Sequence, residues 1–280
     1  MNRFKVVLVV PNYRWTELDE SAFWHITPYN LCLLAAMVRD LCEVQIIDAY
    51  APDMAESEFV DALRAAAPDL VGVTVMMDQC ASAGHRTARL AKSLFPDTPL
   101  VMGGVYPTVN PGQVMTDPHV DYTVVGEGEH VFRDLVEFLI GGRAMPDKGL
   151  SYRKGPAVVH TGRADFIEDL DALPLPAFDL IDFERYATIA PRKSVDGPVA
   201  LPYARIVTSR GCPVDCVFCQ VKRIMGRKFR PRSAESVLGE IGWLKERYGI
   251  RSVIFDDDNL FTDRRRARDI FQGMIDRGFD

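Results

Sequence analysis

Lys5-Val-Val-Leu-Val-Val10 gives the chain an apolar run within its first ten residues. A continuous apolar run of this length is typical of a parallel strand that is covered on both faces. Similar strand patterns follow at 43–48, 70–75, 99–102 and 121–125. Helical patterns alternate with them near 28–41, 55–67, 82–94 and 129–140. Five βα units of this kind predict an α/β domain with an open, doubly wound parallel sheet.

Ligands of such a sheet bind beyond the carboxyl ends of the strands. Those ends carry Pro11-Asn12, Asp48, Thr74 to Asp78, Gly103-Gly104 and Gly126-Glu-Gly-Glu129. A nicotinamide dinucleotide site would require Gly-x-Gly-x-x-Gly directly after the first strand. This chain has Pro11-Asn-Tyr-Arg-Trp-Thr16 there, which excludes that class. The paired glycines follow the fourth and fifth strands instead.

Cys212-Pro-Val-Asp-Cys216-Val-Phe-Cys219 places three cysteines at the spacing C-x3-C-x2-C. Cysteine thiolates hold iron–sulfur clusters, and three of them leave one iron of a four-iron cluster open. A closed zinc site needs four ligands, and neither Cys nor His follows Cys219. Three thiols also cannot all pair as disulfides. The spacing therefore favours a [4Fe-4S] cluster, and zinc would require a fourth ligand from far upstream.

The cysteines lie between two strand patterns. Ala204–Thr208 is a short strand pattern before them, a helix pattern begins at Ser233, and a second strand pattern covers Ser252–Phe255. This order predicts the βαβ start of a parallel barrel, whose reactive ends lie at the strand carboxyl ends. The second strand runs into three acids: Asp256, Asp257 and Asp258. They would accept an ammonium group or cap a helix that begins near Thr262 or Asp263.

The cysteine motif, with Phe218 before its last cysteine, resembles that of the radical S-adenosylmethionine (SAM) enzymes. The resemblance implies that the cluster on Cys212, Cys216 and Cys219 binds SAM and cleaves it to a 5′-deoxyadenosyl radical. It also implies that Phe218 belongs to the SAM site and that at least one acid of 256–258 contacts the SAM amino group.

The two glycine loops, Gly103-Gly104-Val-Tyr-Pro107-Thr108 and Val125-Gly126-Glu-Gly-Glu129, resemble those of cobalamin-binding domains fused to radical SAM barrels. The resemblance implies a flavodoxin-like sheet and close approach of the corrin ring to backbone without Cβ atoms. The residues it assigns to cobalamin are Thr74, Gly103, Gly104, Gly126, Gly128 and Glu129. Taken alone, Gly-Glu-Gly-Glu also fits a turn and a helix N-terminus with stabilising acids.

The chain lacks Asp-x-His-x-x-Gly, the pattern whose histidine ligates cobalt in many corrinoid proteins. Asp117-Pro-His119 has no glycine three residues on, and it lies in the wrong loop. Cobalamin-binding radical SAM enzymes generally lack this pattern as well. The resemblance therefore implies a base-off cobalamin, in which no protein histidine ligates cobalt. His25 is the candidate lower ligand in the right region, although a loop histidine is more often solvated.

The sequence divides into three parts. Residues 1–145 form the predicted cobalamin-binding domain, and 146–203 form a connector with a hairpin at 149–160 and a Pro-rich segment at 169–180. Residues 204–280 are the predicted start of the barrel. They hold two strand and two helix patterns, whereas a radical SAM barrel has about six βα units. We therefore expect the N-terminal portion of a longer enzyme, or a truncated reading frame.

Composition predicts a cytoplasmic globular protein. The 280 residues are 48% hydrophobic and 26% charged, which is a globular balance with no membrane span and no signal peptide. Cys32, Cys42 and Cys80 fit buried, reduced thiols of a reducing compartment. The net charge of −6 argues against a general polyanion binder.

One basic stretch interrupts the acidic composition. It consists of Lys222, Arg223, Arg227, Lys228, Arg230 and Arg232. Such a stretch would contact nucleic-acid phosphates, and radical SAM enzymes that thiomethylate tRNA are known. Those enzymes hold a second cluster in their first domain, which Cys32, Cys42 and Cys80 fit poorly. A loop that flanks the cluster is the commoner explanation, so we do not expect nucleic acid binding.

The resemblance implies a cobalamin-dependent radical SAM enzyme that transfers a methyl group to an unactivated carbon, a C-methyltransferase. It implies a small-molecule substrate and a flavodoxin- or ferredoxin-type electron donor. Some members of the class cyclise or rearrange their substrates instead. A tRNA-modifying enzyme and a non-catalytic cobalamin-binding fragment remain as alternatives. The sequence does not name the substrate.

Overall fold

The computed structural model describes residues 3–16, 26–189 and 199–279. They form two compact units. Within the described residues, the first unit comprises 3–16 and 30–166, and the second comprises 26–29 and 167–279. The first unit contains the predicted sheet domain and the second contains the predicted start of a barrel, and the division between them falls inside the predicted connector 146–203.

The first unit is built on a parallel sheet with short antiparallel additions. Its strands are β1 Lys5–Val10, β2 Glu43–Asp48, β3 Leu70–Thr74, β4 Leu100–Gly103, β5 Tyr122–Val124, β6 Leu150–Lys154 and β7 Ala157–His160. Their order is β2-β1-β3-β4-β5-β6-β7, with β1 to β5 mutually parallel. The order of the first five strands is the flavodoxin-like one, as predicted.

Helices connect the parallel strands. They are α1 Tyr29–Val38, α2 Glu56–Ala66, α3 Ala81–Leu94, α4 Val105–Val109, α5 Pro111–Val114 and α6 Gly128–Ile140. Short 3-10 turns cover Tyr13–Trp15 and Asp78–Cys80. The core lies between these helices and the sheet: β3 is buried throughout, and β1 is buried from Val6 to Val10. Each fully buried valine or leucine contributes about 1.5–3 kcal/mol, so the apolar run fixes β1 in the sheet.

The hairpin of β6 and β7 belongs to the sheet. Strand β6 pairs antiparallel with β5, with Tyr122 opposite Tyr152 and Val124 opposite Leu150. The first unit consequently extends to Phe166, whereas the sequence analysis ended the domain at 145 and assigned the hairpin to the connector. The physical reason is that β5 without β6 would be an edge strand with unpaired N–H and C=O groups.

The second unit holds two small sheets. Its strands are β8 Tyr203–Ile206, β9 Ser209–Arg210, β10 Arg230–Pro231 and β11 Ser252–Phe255. Its helices are α7 Phe183–Thr188, α8 Val221–Ile224, α9 Ala234–Tyr248 and α10 Arg264–Asp276, with 3-10 turns at Phe178–Leu180 and Leu260–Thr262. Strands β8 and β11 pair in parallel, and β9 pairs antiparallel with β10. The β8–α9–β11 unit is the predicted βαβ start.

Sequence signals mark the helix ends of this unit. Ser233 caps α9 by accepting a 3.1 Å hydrogen bond from the Ser236 amide. Gly249 ends the same helix in the left-handed conformation, which favours glycine. Asp263 caps α10 through a 3.0 Å bond from the Arg266 amide. Within the described ranges, no helix has the length and apolar character needed to cross a membrane.

Candidate functional site

The three predicted cluster ligands lie on one long loop, which we call the cysteine loop (residues 211–229). The β9–β10 pair closes it, with Arg210 opposite Arg230. Gly211 begins the loop at φ 81°, and a Cβ there would lie 2.2 Å from the Lys228 carbonyl oxygen. The Cys212 amide donates to the Gly226 carbonyl at 3.3 Å. The two arms of the loop therefore touch directly behind the first cysteine.

Cys212, Cys216 and Cys219 are free and partly buried. In the part of the chain that the structure describes, no three Cys, His, Asp or Glu side chains stand together in an arrangement that could hold a metal ion. The loop brings the thiols onto one short segment, but it does not gather them into a finished site. Their chemistry still fits the predicted cluster, since cysteine thiolates are the ligands of iron–sulfur clusters. Ligand binding would draw the thiols together.

Phe218, the aromatic residue inside the motif, points outward. Its exposed fraction is 83%, and that of neighbouring Val217 is 96%. Apolar side chains exposed this fully contribute nothing to the core of the unit. They are available to a ligand or partner.

The predicted acidic run divides into three different environments. Asp256 forms a 2.6 Å ion pair with Arg205 of β8. Asp257 accepts hydrogen bonds from the Thr208 hydroxyl at 3.0 Å and from the Ser209 hydroxyl. For Asp258, burial raises the pKa, and the charge of Asp257 raises it further. The capping alternative for the run is wrong, because Asp263 is the residue that caps α10.

The cysteine loop and the acidic run lie at one edge of the second unit. Strands β8 and β11 are parallel, with Tyr203 opposite Ser252 and Ile206 opposite Phe255. Their carboxyl ends therefore lie side by side. The bond between Thr208 and Asp257 joins the segment after β8 to the segment after β11. Thr208 and Asp257 are far apart in the sequence, and the parallel pairing of β8 with β11 brings them together.

In the first unit, one threonine links the two glycine loops. The Thr108 hydroxyl donates to the Gly104 carbonyl at 2.8 Å and accepts from the Gly126 amide at 3.1 Å. Thr108 belongs to a predicted glycine loop but was not among the predicted site residues. Its signal was its position one helical turn after Gly104, where a hydroxyl reaches a carbonyl four residues back.

The four glycines of the predicted site have different roles. Gly104 and Gly126 have φ of 110° and 107°, and a Cβ on Gly104 would lie 2.5 Å from the Val75 carbonyl oxygen. The backbone itself therefore requires glycine at these two positions. At Gly103 a Cβ would meet only Val124, at 3.8 Å, and at Gly128 it would make ordinary contacts. The contacts within the protein therefore do not require glycine at Gly103, and a Cβ there would project into otherwise open space.

Thr74 and Glu129, the other predicted cobalamin residues, are both buried. The Thr74 hydroxyl accepts a 2.8 Å hydrogen bond from the Asn30 amide group. Glu129 lies in the first turn of α6, where its negative charge is favourable. Thr74 is the last residue of β3, and Glu129 lies in the helix that follows β5. His25, the candidate lower ligand, lies outside the described residues.

Asn12, at the carboxyl end of β1, is a buried residue whose role the sequence did not show. Its amide group donates to Asp53 at 3.0 Å and to the Met54 carbonyl at 3.1 Å. It also accepts a 3.1 Å bond from the Arg14 amide. Asn12 therefore fixes the turn that follows β1.

Asp117 forms a separate polar cluster. Its two oxygens lie 2.7 Å from Nδ1 of His85 and 2.7 Å from Nδ1 of His119. Burial opposes ionisation of Asp117, but hydrogen bonds from His119 and His85 outweigh it and lower its pKa. The cluster joins α3 to the loop before β5.

The remaining cysteines, Cys32, Cys42 and Cys80, are buried, as the sequence predicted, and they are not joined in disulfides. Burial raises the pKa of the Cys42 thiol to about 11, so it stays protonated and unreactive at neutral pH.

Internal partners account for most of the basic stretch. Lys222 and Arg227 both pair with Asp215 and lower the pKa of that carboxyl to about 2, and Lys228 pairs with Glu168 at 2.5 Å. Arg230 and Arg232 are buried. Asp215 and Glu168 therefore offset part of the positive charge of this stretch.

Two family models match the two units. Residues 22–136 match the B12 binding domain, and residues 206–272 match the Radical SAM superfamily. The chain belongs to the cobalamin-binding radical SAM proteins. The first match covers strands β2 to β5 with both glycine loops, and the second covers the cysteine loop and the acidic run.

Curated relatives include several methyltransferases. The chain is 33% identical to an uncharacterised methyltransferase of Pyrococcus horikoshii, over 100% of this chain and 59% of the relative. It is 26% identical to cytidylyl-2-hydroxyethylphosphonate methyltransferase of Streptomyces wedmorensis, over 90% and 54%. It is 29% identical to the anaerobic magnesium-protoporphyrin IX monomethyl ester cyclase of Rubrivivax gelatinosus, over 98% and 48%. The chain thus spans about half the length of these relatives.

Solved structures share the fold. The radical SAM methyltransferase TsrM of Kitasatospora setae, with tryptophan and a SAM analogue bound, superposes with a TM-score of 0.73 at 21% identity. That match covers 98% of this chain and 51% of the TsrM chain. The cobalamin-dependent SAM radical enzyme OxsB with aqua-cobalamin bound gives 0.75 at 21% identity, over 98% and 37%.

Proposed function

We propose that this chain is the cofactor-binding portion of a cobalamin-dependent radical SAM C-methyltransferase that acts on a small molecule. The observation that carries the proposal is the pairing of two sites in one chain: glycine loops joined by Thr108, and a three-cysteine loop beside an acidic strand end. The family matches fall on these two sites in the same order.

In the second unit, Cys212, Cys216 and Cys219 would hold the [4Fe-4S] cluster. Asp258 is the acid that we assign to the SAM amino group, since Arg205 already neutralises Asp256 and the hydroxyls of the 208–209 segment occupy Asp257. Exposed Phe218 would cover the nucleoside. Each role uses a group that the fold leaves available at the same strand edge.

In the first unit, Gly103 and Gly128 would lie against the corrin, and Thr74 and Glu129 would line its site. Gly104 and Gly126 shape the loops, and Thr108 holds the loops together. When bound, the two cofactors supply the radical and the methyl group, which is chemistry that no side chain provides. The task of the chain is to hold both cofactors and to exclude competing reactions.

The electron that the cluster requires would come from a flavodoxin- or ferredoxin-type donor. Val217 and Phe218 are exposed, so an electron-donor protein could approach the cysteine loop at these residues. Nucleic acid is a weaker candidate partner, since Asp215 and Glu168 neutralise much of the basic stretch. The cyclase among the relatives keeps ring formation as the competing reaction type.

Cofactor loading tests the proposal directly. The chain is reconstituted anaerobically with iron, sulfide and hydroxocobalamin, desalted, and assayed for cobalt, iron and sulfide. We expect about one cobalt and four irons per chain. The Cys212→Ala/Cys216→Ala/Cys219→Ala variant should lose iron and keep cobalt. A native chain that retains neither metal would contradict the proposal.

Gly103→Ala tests the cobalamin site more sharply. The added methyl has room in the unliganded protein, so the variant should fold. Against a bound corrin it would overpack by about 1–3 kcal/mol, which weakens cobalamin binding roughly 5- to 150-fold. Gly112→Ala is the matched control, because nothing lies within 4 Å of its added Cβ. Equal cobalamin affinity in both variants would remove Gly103 from the site.

A further inference from the structure

The two segments that flank the β9–β10 pair at the base of the cysteine loop are bound to one guanidinium group. Arg266 of α10 donates from Nε to the Arg232 carbonyl at 2.6 Å and from Nη2 to the Thr208 carbonyl at 2.7 Å. Thr208 directly precedes β9, and Arg232 directly follows β10. We call the paired segments 208–210 and 230–232 the neck of the loop. Arg266 spans this neck from a helix more than thirty residues downstream.

Asp257 holds the same neck from the other strand. Its carboxylate accepts from the hydroxyl and amide of Thr208, at 3.0 and 3.4 Å, and from the Ser209 hydroxyl. The carbonyl of Thr208 therefore binds Arg266 while its hydroxyl and amide bind Asp257. Thr208 is therefore fixed by Asp257 through its amide and hydroxyl groups and by Arg266 through its carbonyl group.

The far side of the neck is secured as well. Arg232 forms a buried ion pair with Glu240 of α9 and donates to the Ser236 carbonyl at 3.2 Å. The segment after β10 is thereby anchored to α9. The Arg232 amide also donates to the Thr208 carbonyl at 2.9 Å, and Arg266 reinforces this backbone contact by binding the carbonyl groups of both residues.

Burial of the Arg266 guanidinium costs free energy that an apolar side chain at this position would not. Arg266 is 7% exposed, and its Nη1 has no hydrogen-bond partner among the described residues. Buried charges of this kind are often replaceable by apolar side chains without loss of stability. An arginine here has a specific geometric consequence, because only a planar fork spans two carbonyl groups at once.

We infer that Arg266 and Asp257 are positioning residues for the cysteine loop, which hold its neck so that the three thiols can close on one cluster. The inference rests on the proposed function, since the ligand of the loop is the [4Fe-4S] cluster. It takes Asp257 away from direct SAM contact and gives it a role through Thr208 and Ser209.

Arg266→Lys is the test variant, because it keeps the charge but cannot span both carbonyls in the same plane. Arg153→Lys is the matched control. Arg153 also clamps backbone carbonyls, those of Met115 at 2.7 Å and Val120 at 3.1 Å, but in the first unit. Asp257→Asn is the second variant, which attacks the neck from the other side should Arg266→Lys fail to fold.

Each protein is reconstituted, and three quantities are measured: the rate of iron loss to a chelator, the electron paramagnetic resonance spectrum of the reduced cluster, and cobalt content. Removing a positioning contact at a metal site costs about 10- to 100-fold in metal retention. We expect Arg266→Lys to lose iron about tenfold faster, with an altered spectrum and native cobalt. Asp257→Asn should lose iron faster as well, and Arg153→Lys should match the native chain.

The outcomes separate the two proposals. Native iron retention and spectrum in both Arg266→Lys and Asp257→Asn would overturn the positioning role while leaving the proposed function intact. Equal acceleration in Arg153→Lys would also overturn it, since the effect would then be general destabilisation. A native chain that binds no iron would overturn the proposed function, and the positioning role with it.

Discussion

Asp258 shows how one carboxylate is singled out from three adjacent ones. We expect Asp258→Asn to weaken SAM binding by about 1.5–3 kcal/mol, the value of a hydrogen bond to a charged group. Asp256→Asn should leave SAM affinity nearly unchanged, because Asp256 is already paired with Arg205. Equilibrium dialysis with SAM on the iron-loaded chain measures both. Equal losses in the two variants would contradict the assignment.

Asp117 should make the first unit sensitive to acid. Its folded-state pKa is lowered, so its stabilising effect is present above the unfolded value of about 3.9 and is lost as the pH falls through the folded pKa. At pH 6 we expect Asp117→Asn to lower the free energy of unfolding by about 1–3 kcal/mol. The difference from the native chain should shrink below about pH 4.

Urea unfolding at pH 6, 4 and 3 checks this dependence. Asp61→Asn serves as the control, because its ion pair with Arg64 is exposed and such pairs contribute about 0–1 kcal/mol. A constant difference between Asp117→Asn and the native chain at all three pH values would show that ionisation of Asp117 is not the cause.

At the scale of elements, helix α9 offers two glycines with opposite expected effects. Gly249 ends the helix at φ 63°, and alanine there would cost about 1–2 kcal/mol of stability. Gly239 lies inside the helix with nothing within 4 Å of an added Cβ, so alanine should stabilise by about 0.5–1 kcal/mol. Thermal unfolding of the two single variants measures the signs. Two shifts of the same sign would contradict the role of Gly249 as the helix end.

Helix α9 itself was well marked in the sequence. Ser233 predicts its start, which the structure has, and Val237, Ile241 and Leu244 lie at helical spacing on its buried face. The hairpin was also predicted as a hairpin, but its partner was not. Strand β6 pairs with β5 because β5 would otherwise lie at the sheet edge. The residues of β6 alone do not indicate which strand occupies that edge.

At the scale of the whole molecule, the position of the unit boundary is testable. A fragment of residues 1–166 keeps β6 and β7 on the sheet and should unfold in one cooperative transition and retain cobalamin. A fragment of residues 1–145 exposes the edge of β5 and should aggregate or fail to bind cobalamin. Cobalt content and size-exclusion chromatography compare the two fragments. Native-like behaviour of both would show that the hairpin is dispensable.

The order of the two units along the chain can be predicted from local sequence patterns alone. Five apolar runs separated by amphipathic helices indicate the first unit, and one strand, a cysteine loop, a helix and a second strand indicate the other. The family matches fall on the same two segments.

The sequence by itself determined which chemical groups this protein has and in what order: buried strands from apolar runs, helix starts from Ser233 and Asp263, and thiols at a spacing that suits iron. These are local properties, set by neighbours within a few residues. The tertiary structure alone decided that Thr108 joins Gly104 to Gly126, and that Arg266 joins Thr208 to Arg232. Such contacts connect segments that are apart in the sequence, and they depend on strand pairing. The parallel pairs bring the ends of β4 and β5, and of β8 and β11, to one edge, and the antiparallel β9–β10 pair brings Thr208 beside Arg232.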